Sequence, residues 1–396
     1  MRLLPLSQIP LFTGRPACEA AFQLPFVCGR TSFQRDAVSA TNALQQWYNQ
    51  STGLWQTTGW WNSANCITTL AELTSYDRKV ERITSHIWPN TFEKAQNYNL
   101  RQTKSPQSCP TTVCTRRRRI RRDVKRIGNF YEETNTNPAG FLNGFYDDEG
   151  WWGLAWIKVY DLTKQPQYLQ AATDIFEDMV RTGANATCGG IWWDKKKQHN
   201  VAISNELFLH LAASLANRKP NGDYYLAWAQ RQWDWFGQSG LINSENLIND
   251  GINITTCKNN GQEVWSYNQG VILGALVELH TAAPDARLLT RARQIATAAM
   301  RKLSDRNGIL HDPREPNLGG DGYQFKGVFM RNLLALQRAT GDEAIKTYLE
   351  RNAQSVWDNA RNGSLLGPVW SGPFYPANAA TQSSALDALV GAAGVQ

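Results

Sequence analysis

No window of this 396-residue chain approaches about 18 consecutive apolar residues, which excludes a membrane-spanning helix. The C-terminal ALDALVGAAGVQ is too short and too mildly apolar for a lipid-anchor signal. Histidine is scarce, at five residues, and none falls in an HExxH pattern. The seven cysteines include no CxxC and no zinc spacing, so neither a metal nor a cofactor is expected. Residues 1–30 lack a clean apolar leader, because Pro5, Pro10, Pro16 and Pro25 interrupt them. Strand-like alternation is scarce as well. Charged residues make up only 19% of the chain against 42% hydrophobic, enough apolar material for a sizeable core.

The net charge of +7 misleads. Residues 101–126 hold ten Lys/Arg and one Asp, so this segment alone carries +9 and the remainder is near neutral. The segment has no helical apolar stripe and no aromatic residue on which a base could stack. It reads as a disordered insert, with a nuclear-localisation or polyanion-binding patch as the alternative. The chain is therefore expected to bind no nucleic acid through its main body. The expected organisation is a poorly ordered segment 1–35 and one domain over 36–394, interrupted by that insert.

What is abundant is tryptophan, 16 residues in all. Many stand in loop-like stretches beside Gly and Asn (Trp55, Trp60, Trp61, Trp151, Trp152, Trp192, Trp193, Trp265, Trp370). Core packing accounts for about half; the rest suit a cleft whose flat apolar faces stack on sugar rings. Helical periodicity dominates from residue 36, as in SNELFLHLAASL (204–215) and VILGALVELH (271–280). Helix pairs recur with the same Gly-aromatic or Gly-aliphatic loop between them. Second helices of the pairs are expected to start near 60, 147, 200, 265, 324 and 379, with gaps of 87, 53, 65, 59 and 55 residues. Six hairpins that cannot bury their apolar faces alone predict an all-α, closed (α/α)6 barrel. An open solenoid fits the period too, but wants distinct polar caps.

One such helix opens with GFYDDEGWW, placing Asp147 and Asp148 side by side. Acids in a first helical turn cap orphan N–H groups, and most do only that. The other reading is glycoside hydrolysis, which needs two carboxyls about 5–5.5 Å apart for retention or about 6.5–9.5 Å for inversion. Two close acids keep one proton between them, because the first ionisation opposes the second. A terpenoid-synthase reading of the DD pair fails: magnesium binding wants a second acid one turn on, and position 151 is Trp.

YDDEGWWGLAWIKVYDLT, CGGIWW with AISNELFLHLAA, SGLINSENLINDGI, WSYNQGVILGALVEL, DGYQFKGVFMRNL and AATQSSALDAL together resemble glycoside hydrolase family 76, the fungal and bacterial endo-α-1,6-mannanases, over roughly 36–98 and 128–394. The resemblance implies an (α/α)6 barrel that cleaves α-1,6-mannan with retention, Asp147 being the nucleophile and Asp148 the general acid/base. It implies that Asp250 grips the mannose in the cleaved subsite; a turn aspartate before Gly251 is the plainer reading. Trp60, Trp61, Asn62, Trp265, Tyr267, Asn268, Lys326 and Arg331 occupy other inner-helix starts and are expected to bind substrate, although each has a packing or ion-pair alternative. Arg331, two turns in, could sit deep as a buried ion-pair partner. Arg314 and Leu318 stand where the family commonly has a cysteine pair. Cys188 and Cys257, both in rim loops, are expected to be bridged. Sequons at Asn49, Asn185, Asn253 and Asn362 fit a glycosylated extracellular or cell-wall protein. The expected partner is α-mannan or a mannosylated wall glycan. Transfer of glycan chains, or glycan binding without catalysis, remains the alternative on the same fold.

Overall fold

The computed structural model describes residues 32–102 and 139–396. Most of the N-terminal segment and nearly all of the basic insert lie outside these residues. Among the described residues, twelve helices of eight residues or more form six pairs. In chain order they are α1 (Ser32–Leu44), α2 (Trp60–Tyr76), α3 (Ile87–Lys94), α4 (Tyr146–Thr163), α5 (Pro166–Asp178), α6 (Ala202–Ala216), α7 (Gly222–Gln238), α8 (Ser266–Ala282), α9 (Ala286–Lys302), α10 (Phe325–Thr340), α11 (Glu343–Asn359) and α12 (Ala379–Ala393). Even-numbered helices are the inner ones. They start within two residues of the six expected positions. Each packs on the next, and α12 returns to α2, so the ring closes into the (α/α)6 barrel.

The two layers differ in sequence for a physical reason. An inner helix has neighbours on both sides and an outer helix behind it, so nearly every face is buried. α8 is buried almost continuously from Ser266 to Leu276. An outer helix has one dry face: α9 buries Leu288, Ala292, Ile295, Ala296 and Ala299 at helical spacing and leaves its arginines in water. Inner helices approach closely where glycine permits. A Cβ on Gly270 would lie 2.6 Å from Phe329 Cα, and one on Gly327 would lie 2.6 Å from Ser384 Cα. Trp55, Trp152, Trp156 and Trp370 are fully buried and belong to the apolar core.

All six inner helices begin at one rim, and the loops there carry seven short strands: β1 (Tyr48–Asn49), β2 (Leu54–Trp55), β3 (Asn200–Val201), β4 (Gly251–Asn253), β5 (Lys258–Asn259), β6 (Arg361–Asn362) and β7 (Leu365–Leu366). They pair antiparallel as β1–β2, β3–β4–β5 and β6–β7. The β3–β4 pair sets Val201 opposite Gly251 and so fixes residue 250 over the start of α6. Cys188 and Cys257 are bridged across 69 residues of chain, tying the loop before β3 to the β4–β5 turn. Replacing both with serine is expected to cost about 2–4 kcal/mol of stability. Thermal melts of the variant against the oxidised parent would check this; unchanged melting would show that the rim loops are held without the bridge.

Candidate active site

The rim encloses a cavity of about 700 Å³. Asp147 and Asp148, on the first turn of α4, line it, and both are half-buried. The α4 N-terminus has no side-chain cap of its own at Phe145. Instead Asn143 shapes the approach. Its Oδ1 accepts from Phe145 N at 2.8 Å, and its Nδ2 donates to Asp148 Oδ2 at 2.6 Å. Glu149 turns away from the cavity and is fully buried. Its Oε1 accepts from Asn143 N at 2.8 Å and pairs with Lys195 Nζ at 2.7 Å, while Lys195 also meets Asp178 at 2.8 Å. Of three consecutive acids, two face the cavity and the third fixes the loop that serves them.

Burial raises both cavity acids. Asp147 is pushed up to about 6, chiefly by desolvation, although the facing Trp193 indole favours its anion. Asp148 is also raised well above the usual carboxyl range, because burial is joined by the negative charge of Asp147, with Asn143 pulling the other way. Asp321, on the loop before α10, adds a second repelling charge to both. Two such neighbouring acids lose their protons in separate steps, so over an interval one is charged while the other keeps its proton. One oxygen of Asp147, Oδ1, is buried without a hydrogen-bond partner in the protein.

The remaining walls are aromatic. Trp60 stacks on Tyr98 at 6.1 Å between ring centres with 6° between planes. Trp61 stacks on Trp151 at 5.5 Å, and its Nε1 donates to Asp321 Oδ1 at 3.0 Å. Tyr267 lies flat on Phe325 at 3.9 Å, and Phe145 leans on Trp193 at 4.8 Å. Tyr98 and Phe145 are exposed at the mouth. Asp250 lines the same space, its carboxyl raised by burial. Among the described residues no lysine or arginine lines the cavity; four aspartates and His199 do.

The structure thus brings together Asp147, Asp148, Asp250, Trp60, Trp61 and Tyr267. Five other expected binding residues face elsewhere. Asn62 is buried and its Oδ1 caps α2 by accepting from Gly59 N at 3.0 Å. Trp265 precedes α8 and packs on Phe325, with the Arg314 guanidinium 5.5 Å above its ring. Asn268 is fully buried in the barrel wall. Lys326 is buried against Glu315 at 2.6 Å and donates to Pro368 O at 2.7 Å. Arg331 sits deep, paired with Asp387 at 2.9 Å, beside a separate chamber of about 70 Å³. Arg314, where a cysteine was expected from the family, pairs with Glu263, so an ion pair helps hold that loop. Asn185, Asn253 and Asn362 are exposed, and Asn49 is half-buried with its Oδ1 accepting from Ser51 N at 2.9 Å.

Asn143, Trp151, Trp193, Asp321 and Phe325 are wall residues that sequence reading did not single out as binding residues. Trp151 and Trp193 were visible only as loop tryptophans. The Asn143 contact makes a direct prediction. Its amide stabilises the Asp148 anion, so Asn143→Ala is expected to raise the Asp148 pKa and move the alkaline limb of any pH–rate profile upward. An unmoved alkaline limb would remove Asp148 as the group behind it.

The profile of glycosyl hydrolase family 76 matches residues 32–392. Mannan endo-1,6-alpha-mannosidase DCW1 of Candida albicans is 32% identical over 149 residues, covering 34% of this chain and 33% of that protein. The enzyme of the same name from Eremothecium gossypii is 27% identical over 249 residues, covering 57% and 54%. The matched stretches therefore span between a third and about half of these relatives' length. In fold, the GH76A α-1,6-mannanase of Salegentibacter sp. HEL1_6 superposes with a TM-score of 0.73 at 20% identity, over 92% of this chain and 100% of that one. An inactive variant of that mannanase with both of two neighbouring aspartates replaced is known in complex with α-1,6-mannotriose; it superposes with a TM-score of 0.72 at 19% identity, over 92% and 100%.

Proposed function

The chain belongs to glycosyl hydrolase family 76, and from that premise we propose that it cleaves α-1,6-mannosidic bonds within mannan, with retention of configuration. The acid pair carries this reading: two neighbouring carboxyls on the cavity wall, both raised by burial, with the charge of Asp147 opposing ionisation of Asp148, so that they ionise one after the other. Over the interval between them one acid is charged and the other protonated, the state that glycosidase chemistry requires.

In this mechanism the Asp147 carboxylate attacks the anomeric carbon while Asp148 gives its proton to the departing glycosidic oxygen. The bond to the leaving sugar breaks as a covalent glycosyl ester forms. Asp148, now anionic, takes a proton from water, which attacks the same carbon and frees Asp147. Asp250 accepts from sugar hydroxyls, and the aromatic faces of Trp60, Trp61 and Tyr267 stack on the rings. The relatives' names, as mannan endo-1,6-alpha-mannosidases, support the choice of substrate. The Cys188–Cys257 bridge and the exposed sequons support an extracellular or cell-wall location.

A sugar hydroxyl can replace water in the second half-reaction, which turns hydrolysis into transfer. α-1,6-Mannotetraose labelled at its non-reducing end, the part carried on the glycosyl ester, tests the proposal with and without an added acceptor glycan. Hydrolysis gives shorter labelled products in both reactions. Label appearing on the acceptor means transfer, and an untouched substrate in both reactions contradicts cleavage altogether.

A further inference from the structure

A carboxyl group that the mechanism does not use lies beneath Asp250. Glu206 is one turn inside α6, fully buried, and does not line the cavity. Neither of its carboxyl oxygens has a hydrogen-bond partner in the protein. A buried polar group in that condition is costly and needs a partner.

Its placement points to Asp250. Ala202 N, at the first residue of α6, donates to Asp250 O at 2.8 Å, so residue 250 is pinned over the N-terminus of that helix. Helical side chains lean toward the N-terminus of their own helix. Glu206, four residues in, therefore leans toward the end of α6 over which residue 250 is pinned. The two are near enough for the charge on Asp250 to oppose ionisation of Glu206. Burial opposes it further, so the Glu206 proton is held well above the usual carboxyl range. Tyr267, on the neighbouring α8, lies among the side chains of Asp250, Asp147, Glu206 and Asp312, all acids. His210, one turn deeper on α6, is half-buried and pushed down to about 4, hence neutral. None of these groups offers Glu206 a positive charge.

We propose that Glu206 is a positioning residue for Asp250: a neutral buried acid whose proton hydrogen-bonds the Asp250 carboxylate when sugar occupies the cavity, holding it turned toward the sugar hydroxyls. The proposal rests on the reading of Asp250 as the residue that grips mannose. It separates two roles that look alike in sequence. Asp250 is anionic and meets the sugar; Glu206 is neutral, never touches the sugar and acts only through Asp250.

Binding of α-1,6-mannotriose to the whole chain, measured by calorimetry in an Asp148→Asn background that stops turnover, tests this. Glu206→Leu keeps the bulk and removes the donor. It is expected to weaken binding about tenfold or more, the scale of a lost hydrogen bond to a charged group. Its melting temperature should be equal or higher, since an unpaired buried carboxyl has gone. Glu206→Gln keeps a donor of the same shape and is expected to restore binding. Binding by Glu206→Leu equal to the background overturns the proposal. Asp250→Asn runs alongside: if it too binds normally, the sugar-gripping reading has failed, whereas a large loss there with none at Glu206→Leu condemns Glu206 alone. Should Glu206→Leu not fold, an infrared difference spectrum of the parent against Glu206→Gln near neutral pH still decides. A protonated carboxyl band must vanish in the variant, and its absence from the difference spectrum overturns the proposal.

Discussion

Asp147→Asn is expected to slow release of oligosaccharide from linear α-1,6-mannan about a thousandfold or more, and Asp148→Asn similarly. An amide in place of Asp147 cannot attack the anomeric carbon, and one in place of Asp148 cannot deliver a proton. The same substitutions should not unfold the protein. Asp147 in the folded chain holds its proton up to about 6, above the value of a carboxyl in an unfolded chain. A group with a raised folded-state pKa favours the fold while protonated and loses that contribution as pH rises through the folded value. Near neutral pH the contribution is already gone, so Asp147→Asn should melt at the same temperature as the parent or higher. Loss of activity with undiminished melting separates a catalytic acid from a helix cap. A cap removed from α4 would instead lower stability by about 1 kcal/mol and spare the activity.

Lys326→Met is expected to have the opposite signature: a large loss of stability with a much smaller effect on cleavage per folded molecule. Lys326 is almost wholly buried, and burial pushes its pKa down. Its ammonium meets Glu315 at 2.6 Å and Pro368 O at 2.7 Å and lies 4.5 Å above the Trp370 ring. Three separate stretches of chain, the loop before α10, the start of α10 and the segment after β7, converge on that one charge. Removing it leaves Glu315, itself nearly buried, without its cation. Breaking one side of a buried pair costs about 3–5 kcal/mol. In a domain of this size that is roughly 4–7 °C of melting temperature. Glu315→Gln in the same chain should recover part of the loss, because the stranded charge goes with it. If Lys326→Met instead melts normally and loses substrate affinity, Lys326 belongs to the cleft after all.

The contrast between Asp147 and Lys326 shows what was legible in the sequence. The closed ring was, because each hairpin repeats the same apolar pattern and the same loop, and the six inner starts fall within two residues of their expected positions. The aspartate pair was also legible as a site candidate. Which neighbour of an inner-helix start faces the cavity was not. Successive helical residues are turned by about 100°, so Tyr267 lines the cavity while Asn268 is buried in the wall, and Phe325 lines it while Lys326 is not among the lining residues. That rotation is set by packing between helices, which a single sequence does not display. Trp193 and Asp321 were hidden for a different reason: each reaches the acids from a loop far away in the chain, brought there by closure of the ring. Glu206 sits in an apolar helical stretch and gave no signal at all, since its significance lies in the company of Asp250 across the β3–β4 pair.

The most direct test of the central claim is the anomeric configuration of the sugar first released. Proton magnetic resonance of α-1,6-mannotetraose during the first minutes of reaction resolves the two anomers before they interconvert. A nucleophilic Asp147 beside a protonated Asp148 inverts the centre twice, so the new reducing end must appear first as the α anomer. A β anomer appearing first would mean that water attacks directly, and that Asp147 never bonds to the sugar.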